Sequence, residues 1–203
     1  MSRLVQNARK PKGLGGRIFL KRMNQGHASL SEWGFSHITL SSDARVLDVG
    51  CGGGANIAKL LELVPQGFVD GIDHSPESVA MSKKINKAEL GKRCAITLGD
   101  VGNLPYADNT FDAVTAFETV YFWPDLENAF VEIRRVLKPG GTFLVVLEAS
   151  DPSDTTWTDR IDGMTIYSGA DLEGRLKKAG FMPVSLHELE NGWISMVAEV
   201  PRS

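Results

Sequence analysis

Four glycines in five positions, Gly50, Gly52, Gly53 and Gly54, follow the run Val46-Leu47-Asp48-Val49 and precede an apolar-periodic segment that opens at Ala55. Glycines between a strand and a helix let a ligand approach the backbone where a Cβ would clash. The helix that follows offers unpaired N–H groups at its start. Gly50, Gly52 and Ala55 also fit the dinucleotide pattern G-x-G-x-x-G/A, so the loop alone leaves the ligand open.

Two acids follow at matching places. Asp73 ends the run Gly71-Ile72-Asp73, where a carboxylate can accept hydrogen bonds from both hydroxyls of a ribose. That position suits a nicotinamide dinucleotide as well as any other adenosine ligand. Asp100, in Gly99-Asp100-Val101, stands past a third apolar run. A carboxylate there can take the exocyclic amine of adenine while the next backbone N–H serves a ring nitrogen. The bland alternatives are a tight turn, a helix cap and an exposed strand-end acid.

The elements that must hold these residues alternate in type. Residues 45–49, 68–72, 94–98, 111–117 and 142–147 read as strands. Segments 55–64 and 126–137 carry apolar residues at helical spacing. Ser75-Pro76-Glu77 is a helix start that runs towards Gly91, and Asp125 can cap the helix after it. Pro139-Gly140-Gly141 reads as a stop. A helix over 171–179 ends at Gly180. Residues 181–189 and 193–200 form a hairpin about Asn191-Gly192. Alternation of this kind predicts an α/β fold, a mostly parallel sheet with helices on both faces, closed by an antiparallel hairpin. Residues 18–40 read as one or two helices packed on that core, and 150–168 as a polar loop.

Bulk properties narrow the class. The chain has 203 residues, 42% hydrophobic and 23% charged, with a net charge of −3. That length suits one domain. All seven charged residues among the first 31 (Arg3, Arg9, Lys10, Lys12, Arg17, Lys21, Arg22) are basic, leaving 15 of the 22 basic residues against all 25 acids. The basic start reads as the solvated face of a helix on an acidic body. A nucleic-acid arm lacks the interleaved aromatics, and a transit peptide is broken by Lys10 to Gly16. Two cysteines, Cys51 and Cys94, form no C-x-x-C pair, so neither a disulfide frame nor a metal site is expected, and a reducing cytoplasm is. No 18-residue apolar run exists to span a membrane.

Taken in order, V-L-D-V-G-C-G-G-G, G-I-D, G-D-V, L-P-Y-A-D-N-T-F-D and R-V-L-K-P-G-G resemble the class I S-adenosylmethionine-dependent methyltransferases. The likeness is greatest to the small ubiquinone- and menaquinone-biosynthesis group, strong over 43–147 and looser in the hairpin. The resemblance implies a Rossmann-like, seven-stranded sheet of order 3-2-1-4-5-7-6 with strand 7 antiparallel. It implies a single methyltransferase domain, with 1–42 an N-terminal helical lid, 43–203 the core and 150–168 a substrate-side loop. It further implies S-adenosylmethionine as cofactor and S-adenosylhomocysteine as product. Asp48, Gly50 and Gly52 would hold the methionine end, Asp73 with His74 beside it the ribose, and Asp100 and Val101 the adenine. Phe117 would lie near the methionine part, with Glu118 towards the acceptor.

The expected partner is a small-molecule methyl acceptor, with no domain to grip nucleic acid, and either a monomer or a homodimer fits. Direct transfer needs no protein nucleophile, and a general base only where the acceptor must lose a proton. His27, Glu118, Tyr121 and Tyr167 are the candidates. Each has a plainer reading: a polar residue on a lid helix for His27, a packing cluster Tyr121-Phe122-Trp123, lid packing for Tyr167. Met23 and Cys51 read as fillers, His37 and His187 as structural. Two rival functions stand beside this one. An NAD(P)-dependent oxidoreductase lacks a Y-x-x-x-K pair and a second domain here. A non-catalytic scaffold would have no need of so complete a binding set.

Overall fold

The computed structural model describes residues 28–202. Its chain order is α1 (Ala28–Phe35), β1 (Arg45–Val49), α2 (Ala55–Leu63), β2 (Phe68–Asp73), α3 (Pro76–Ile85), β3 (Cys94–Leu98) and β4 (Phe111–Phe117). A 3-10 turn (Val120–Phe122) leads to α4 (Leu126–Val136), β5 (Leu137–Leu147), α5 (Gly169–Lys178), β6 (Val184–Glu188) and β7 (Ile194–Glu199). The seven strands form one sheet in the order β3-β2-β1-β4-β5-β7-β6. The first five run parallel, and β7 is antiparallel to both β5 and β6. This is the architecture the sequence resemblance implied. His27 and Met23, and most of the lid segment, lie outside the described residues.

The central strands are buried on both faces, which is why they read as unbroken apolar runs. Their side chains divide by alternation. Leu47, Val49, Val114, Phe143, Val145 and Leu147 join α4 and α5 in one core. Val46, Ala113, Phe117, Leu144 and Val146 join α1 and α2 in the other. On α4, Leu126, Ala129, Phe130, Ile133 and Val136 are buried, one stripe at helical spacing. Asp125 caps it by accepting a hydrogen bond from the amide of Asn128 at 3.0 Å. Gly34 lets α1 seat closely, since a Cβ there would come within 2.5 Å of Val146 and 3.0 Å of Phe117. Beyond α1, His37 stacks on His187 at 4.1 Å, so both rings pack α1's end against the hairpin.

Sheet order reverses between β1 and β4. In an open α/β sheet the crevice beyond the strand carboxyl ends at that point is where ligands bind. One edge of the crevice is the loop after β3, and it is pinned from below. Arg135 donates five hydrogen bonds: two to Glu132, one to Asp108, and one each to the carbonyls of Tyr106 and Leu104. Glu132 in turn accepts from the amide of Leu104 at 2.9 Å. The motif pair L-P-Y-A-D and E-I-R-R is therefore one clasp. No helix among the described residues is long and apolar enough to cross a membrane.

Arg135→Ala should cost about 1.5–3 kcal/mol, because it strips charge-assisted bonds from a loop with few other ties. Urea unfolding measures this, and an unchanged midpoint would contradict the clasp.

Candidate functional site: a cleft across four strand tips

The chain leaves β1 through a left-handed turn. Gly50, Gly52 and Gly54 have φ of +73°, +50° and +84°. At Gly50 a side chain is also barred by space, because a Cβ would stand 2.2 Å from the Thr119 hydroxyl. At Gly52 the nearest atom to such a Cβ is 3.9 Å away, so that glycine faces the open cleft. The loop is sewn to β2: the amides of Gly50 and Cys51 donate to the carbonyl of Ile72, at 2.8 and 3.1 Å. It is sewn to α3 as well, where the Asn86 side-chain amide donates to the carbonyl of Gly54 at 3.0 Å.

Asp73 closes the arrangement. One carboxylate oxygen accepts from the amide of Gly52 at 2.9 Å, the other from the amide of Ser75 at 2.8 Å. Each oxygen has about two acceptor positions, so both keep one for a ligand. His74 lies beside it, with Nδ1 3.6 Å from Asp73 Oδ1.

Two hollows open along the tips and share Gly50. The larger, about 220 Å³, is lined by Val49, Ile72, Asp73, His74, Asp100 and Val101 on one side. Thr119, Phe122, Trp123 and Pro124 line the other. The smaller, about 60 Å³, is lined by Leu30 and Ser31 of α1, the glycine loop, Ala55, Asn56, Phe117 and Glu118. Asp73 and Asp100 thus face one cavity, as the sequence reading required. Asp100 is held by an Asx turn, accepting from the amide of Gly102 at 2.7 Å.

Asp48 lies under the loop, buried, and accepts a hydrogen bond from Thr115 at 2.7 Å. Burial pushes its carboxyl up to about 7, Thr115 holding it down somewhat and the charge of Asp73 adding to the rise. Glu118 sits one residue past β4 with φ +56°, unusual for a side-chain-bearing residue. Its Oε1 accepts from the Tyr121 hydroxyl at 3.1 Å and from the amide of Glu148 at 2.5 Å. Burial, then the neighbouring charge of Glu148, pushes Glu118 up to about 8.

Three further expectations find their places. Tyr121 is buried, and its hydroxyl also accepts from the Ala149 amide at 2.9 Å, with the Ala149 carbonyl 3.2 Å away as an alternative acceptor for its one proton. It braces the wall behind Glu118 and lines neither hollow. Tyr167 lies by α5 with the Arg175 guanidinium 5.5 Å from its ring centre, also away from both hollows. The 150–168 loop touches the tips from outside, where the amide of Thr165 donates to the carbonyl of Tyr121. Sequence reasoning missed Thr119, whose hydroxyl accepts from Trp123 Nε1 at 3.3 Å and fills the space a Gly50 side chain would need. It missed Thr115 and Asn86 too. Only the fold brings these residues to the loop, and no spacing rule marks them.

Comparison with known proteins agrees with this geometry. Residues 47–145 match the family described as a methyltransferase domain. The chain is 40% identical over 119 residues to the demethylmenaquinone methyltransferase of Lactiplantibacillus plantarum, covering 58% of this chain and 50% of that one. It is 39% identical over 101 residues to the sterol 24-C-methyltransferase of Schizosaccharomyces pombe, covering 49% and 26%. It thus spans half or less of the length of these curated relatives. In fold it resembles the solved SAM-dependent methyltransferase of Aquifex aeolicus, with a TM-score of 0.73 at 21% identity over 89% of this chain and 96% of that one. Sheet order and strand-tip carboxylates define a Rossmann-like fold with an open cleft at the strand tips. Within it, residues 47–145 match a methyltransferase domain, and the chain resembles the class I S-adenosylmethionine-dependent methyltransferases.

Asp48 gives a check on the cleft's electrostatics. A carboxyl raised in the folded state binds a proton the unfolded chain has lost, so stability falls as pH rises between the two values. For Asp48 that window runs from the ordinary carboxylate range to about 7. Asp48→Asn keeps the acceptor for Thr115 and should flatten the fall in stability across that window. Urea midpoints at several pH values test this, and an unaltered slope would mean that Asp48 is ionised when folded.

Proposed function

We propose that the cleft binds S-adenosylmethionine and that the protein moves its methyl group to a small-molecule acceptor by direct in-line transfer. The observation that carries this is the joint lining of one cavity by Asp73 and Asp100, continuous at Gly50 with the hollow that holds Glu118. Asp73 would take the ribose hydroxyls on its two free acceptor positions. Asp100 and the amide of Val101 would take the adenine edge, with Phe122 and Trp123 as walls. The amides at the start of α2 suit a carboxylate, since four N–H groups there have no partner within the helix. Gly52 leaves the space these contacts need.

The cofactor supplies an electrophilic methyl on a sulfonium. The protein's part is to place the acceptor in line with it and to exclude water. Such positioning can supply roughly 7–11 kcal/mol of the barrier reduction. Leu30, Ser31 and Phe117 bring α1 and the end of β4 to the smaller hollow, which puts the acceptor side there. The relatives named for a demethylmenaquinone and for a sterol favour a small organic acceptor over nucleic acid. One domain, with 43–203 as core and 1–42 over the acceptor side, is the reading that goes with this. An NAD-linked reaction has less support, because residues 47–145 match a methyltransferase domain.

Thermal melting tests the assignment. S-adenosylhomocysteine should raise the midpoint, as a ligand of the folded state must, and NAD should not. Asp73→Ala should weaken S-adenosylhomocysteine roughly 10- to 100-fold, the loss of one or two hydrogen bonds to a charged acceptor. A shift with NAD alone, or unchanged affinity in the variant, would overturn the reading.

A further inference from the structure

We propose that Glu118 is the proton acceptor of the cleft: it carries a proton when no cofactor is bound, releases it when the sulfonium docks, and then takes the proton of an N–H or O–H acceptor. The inference rests on the methyltransferase reading and narrows its substrate class to protic small molecules.

The geometry is specific to this side chain. Among the described residues Glu118 is the one carboxylate lining the smaller hollow, which it shares with Gly50, Gly52, Gly53 and Phe117. The left-handed backbone at its position separates it from the strand it follows. Only Oε1 is tied down, by Tyr121 and the Glu148 amide, while among the described residues no hydrogen bond engages Oε2. No lysine or arginine among the described residues lines either hollow. The titratable groups that face Glu118 are Tyr121 from the 3-10 turn and Glu148 past β5. Cys51 shares the hollow across from it, and α1 brings only Leu30 and Ser31.

Among the described residues no cation faces this carboxyl, and burial, with the charge of Glu148 beside it, pushes it up to about 8. An opposite charge within about 4–6 Å reverses that balance. Docking of a sulfonium in the same hollow therefore drives the proton to solvent and leaves a carboxylate beside the acceptor. In the transfer step the acceptor's lone pair forms the bond to the methyl carbon. The carbon–sulfur bond breaks with its electron pair left on sulfur, and Glu118 takes the acceptor's proton. The positive charge on sulfur and the negative charge on the carboxylate disappear together, so Glu118 ends the cycle protonated as it began.

Titration calorimetry in buffers of different ionisation enthalpy counts the protons released on binding. At about pH 6.5 the α-amino groups of both ligands are charged, so they contribute little to the count. S-adenosylmethionine should release roughly half to one proton more than S-adenosylhomocysteine, whose sulfur is neutral. That difference should vanish in Glu118→Gln, which keeps an acceptor for Tyr121 and the Glu148 amide. Tyr121→Phe retains the carboxyl and removes one bond that favours its ionised form. It should move the pH of half-maximal release upward, and it serves as the second test should the glutamine variant not fold. Equal proton counts for the two ligands, a difference that survives Glu118→Gln, or a downward move in Tyr121→Phe would overturn the proposal while leaving the methyltransferase reading intact. Failure of both ligands to bind would remove that reading and this inference with it.

Discussion

Asp73 accepts one backbone hydrogen bond on each carboxylate oxygen, from Gly52 in the loop after β1 and from Ser75 at the start of α3. That pair of bonds joins two strand tips and a helix start through a single side chain. It holds the left-handed turn at Gly50 in place and aims Gly52 into open space. Without it Gly52 would lose its tie to β2, and that part of the loop would have more conformational entropy to lose on binding. With it, the ribose position, the loop and the cap of α3 become one preorganised unit. The remaining lone pairs of the same carboxylate are what a ligand would meet.

The cleft is built at a cost in electrostatics. Asp48 and Asp73 are buried and Glu118 is half-buried, and among the described residues no arginine or lysine lines the two hollows. Elsewhere in the molecule buried or half-buried acids have partners: Asp70 has Arg45 at 2.9 Å, and Glu132 has Arg135 at 2.8 Å. Burial without a counter-charge disfavours the ionised form. The strand-tip acids thus differ from these two pairs. A cationic ligand relieves that penalty. Conflict of this kind is expected where a site is arranged for binding and not for stability of the free chain.

Much of this was legible in the sequence, and what was not has a physical reason. Strands β1, β3 and β4 carry their β-branched runs between clear breakers, so their limits could be read directly. The start of α3 was visible in Ser75-Pro76. Its end was not: the segment looked helical towards Gly91 but stops at Ile85. There Asn86 turns to donate to Gly54 and Ser82, a tertiary cap that local spacing cannot show. α4 ends at Val136, before Pro139-Gly140-Gly141, which lies inside a strand that begins at Leu137, its register to β4 shifted before Thr142. β6 starts at Val184 and not at Phe181, in keeping with a Pro183 that has no N–H to give a ladder. At the site, Asp48, Asp73, Asp100, Phe117 and Glu118 were readable from their places after strands. Tyr121 had two readings, an acceptor-side group and a packing cluster, that type alone could not separate, because whether its hydroxyl faces a ligand or Ala149 depends on how β4 and β5 end together.

The measurement that bears most directly on the central claim is a crystal structure with S-adenosylhomocysteine bound. The account predicts ribose hydroxyls on Asp73, the adenine amine at Asp100 and the sulfur in the hollow beside Glu118. Adenosine density away from the β2 and β3 tips, or Asp73 turned from the ligand with its bonds to Gly52 and Ser75 intact, would contradict it.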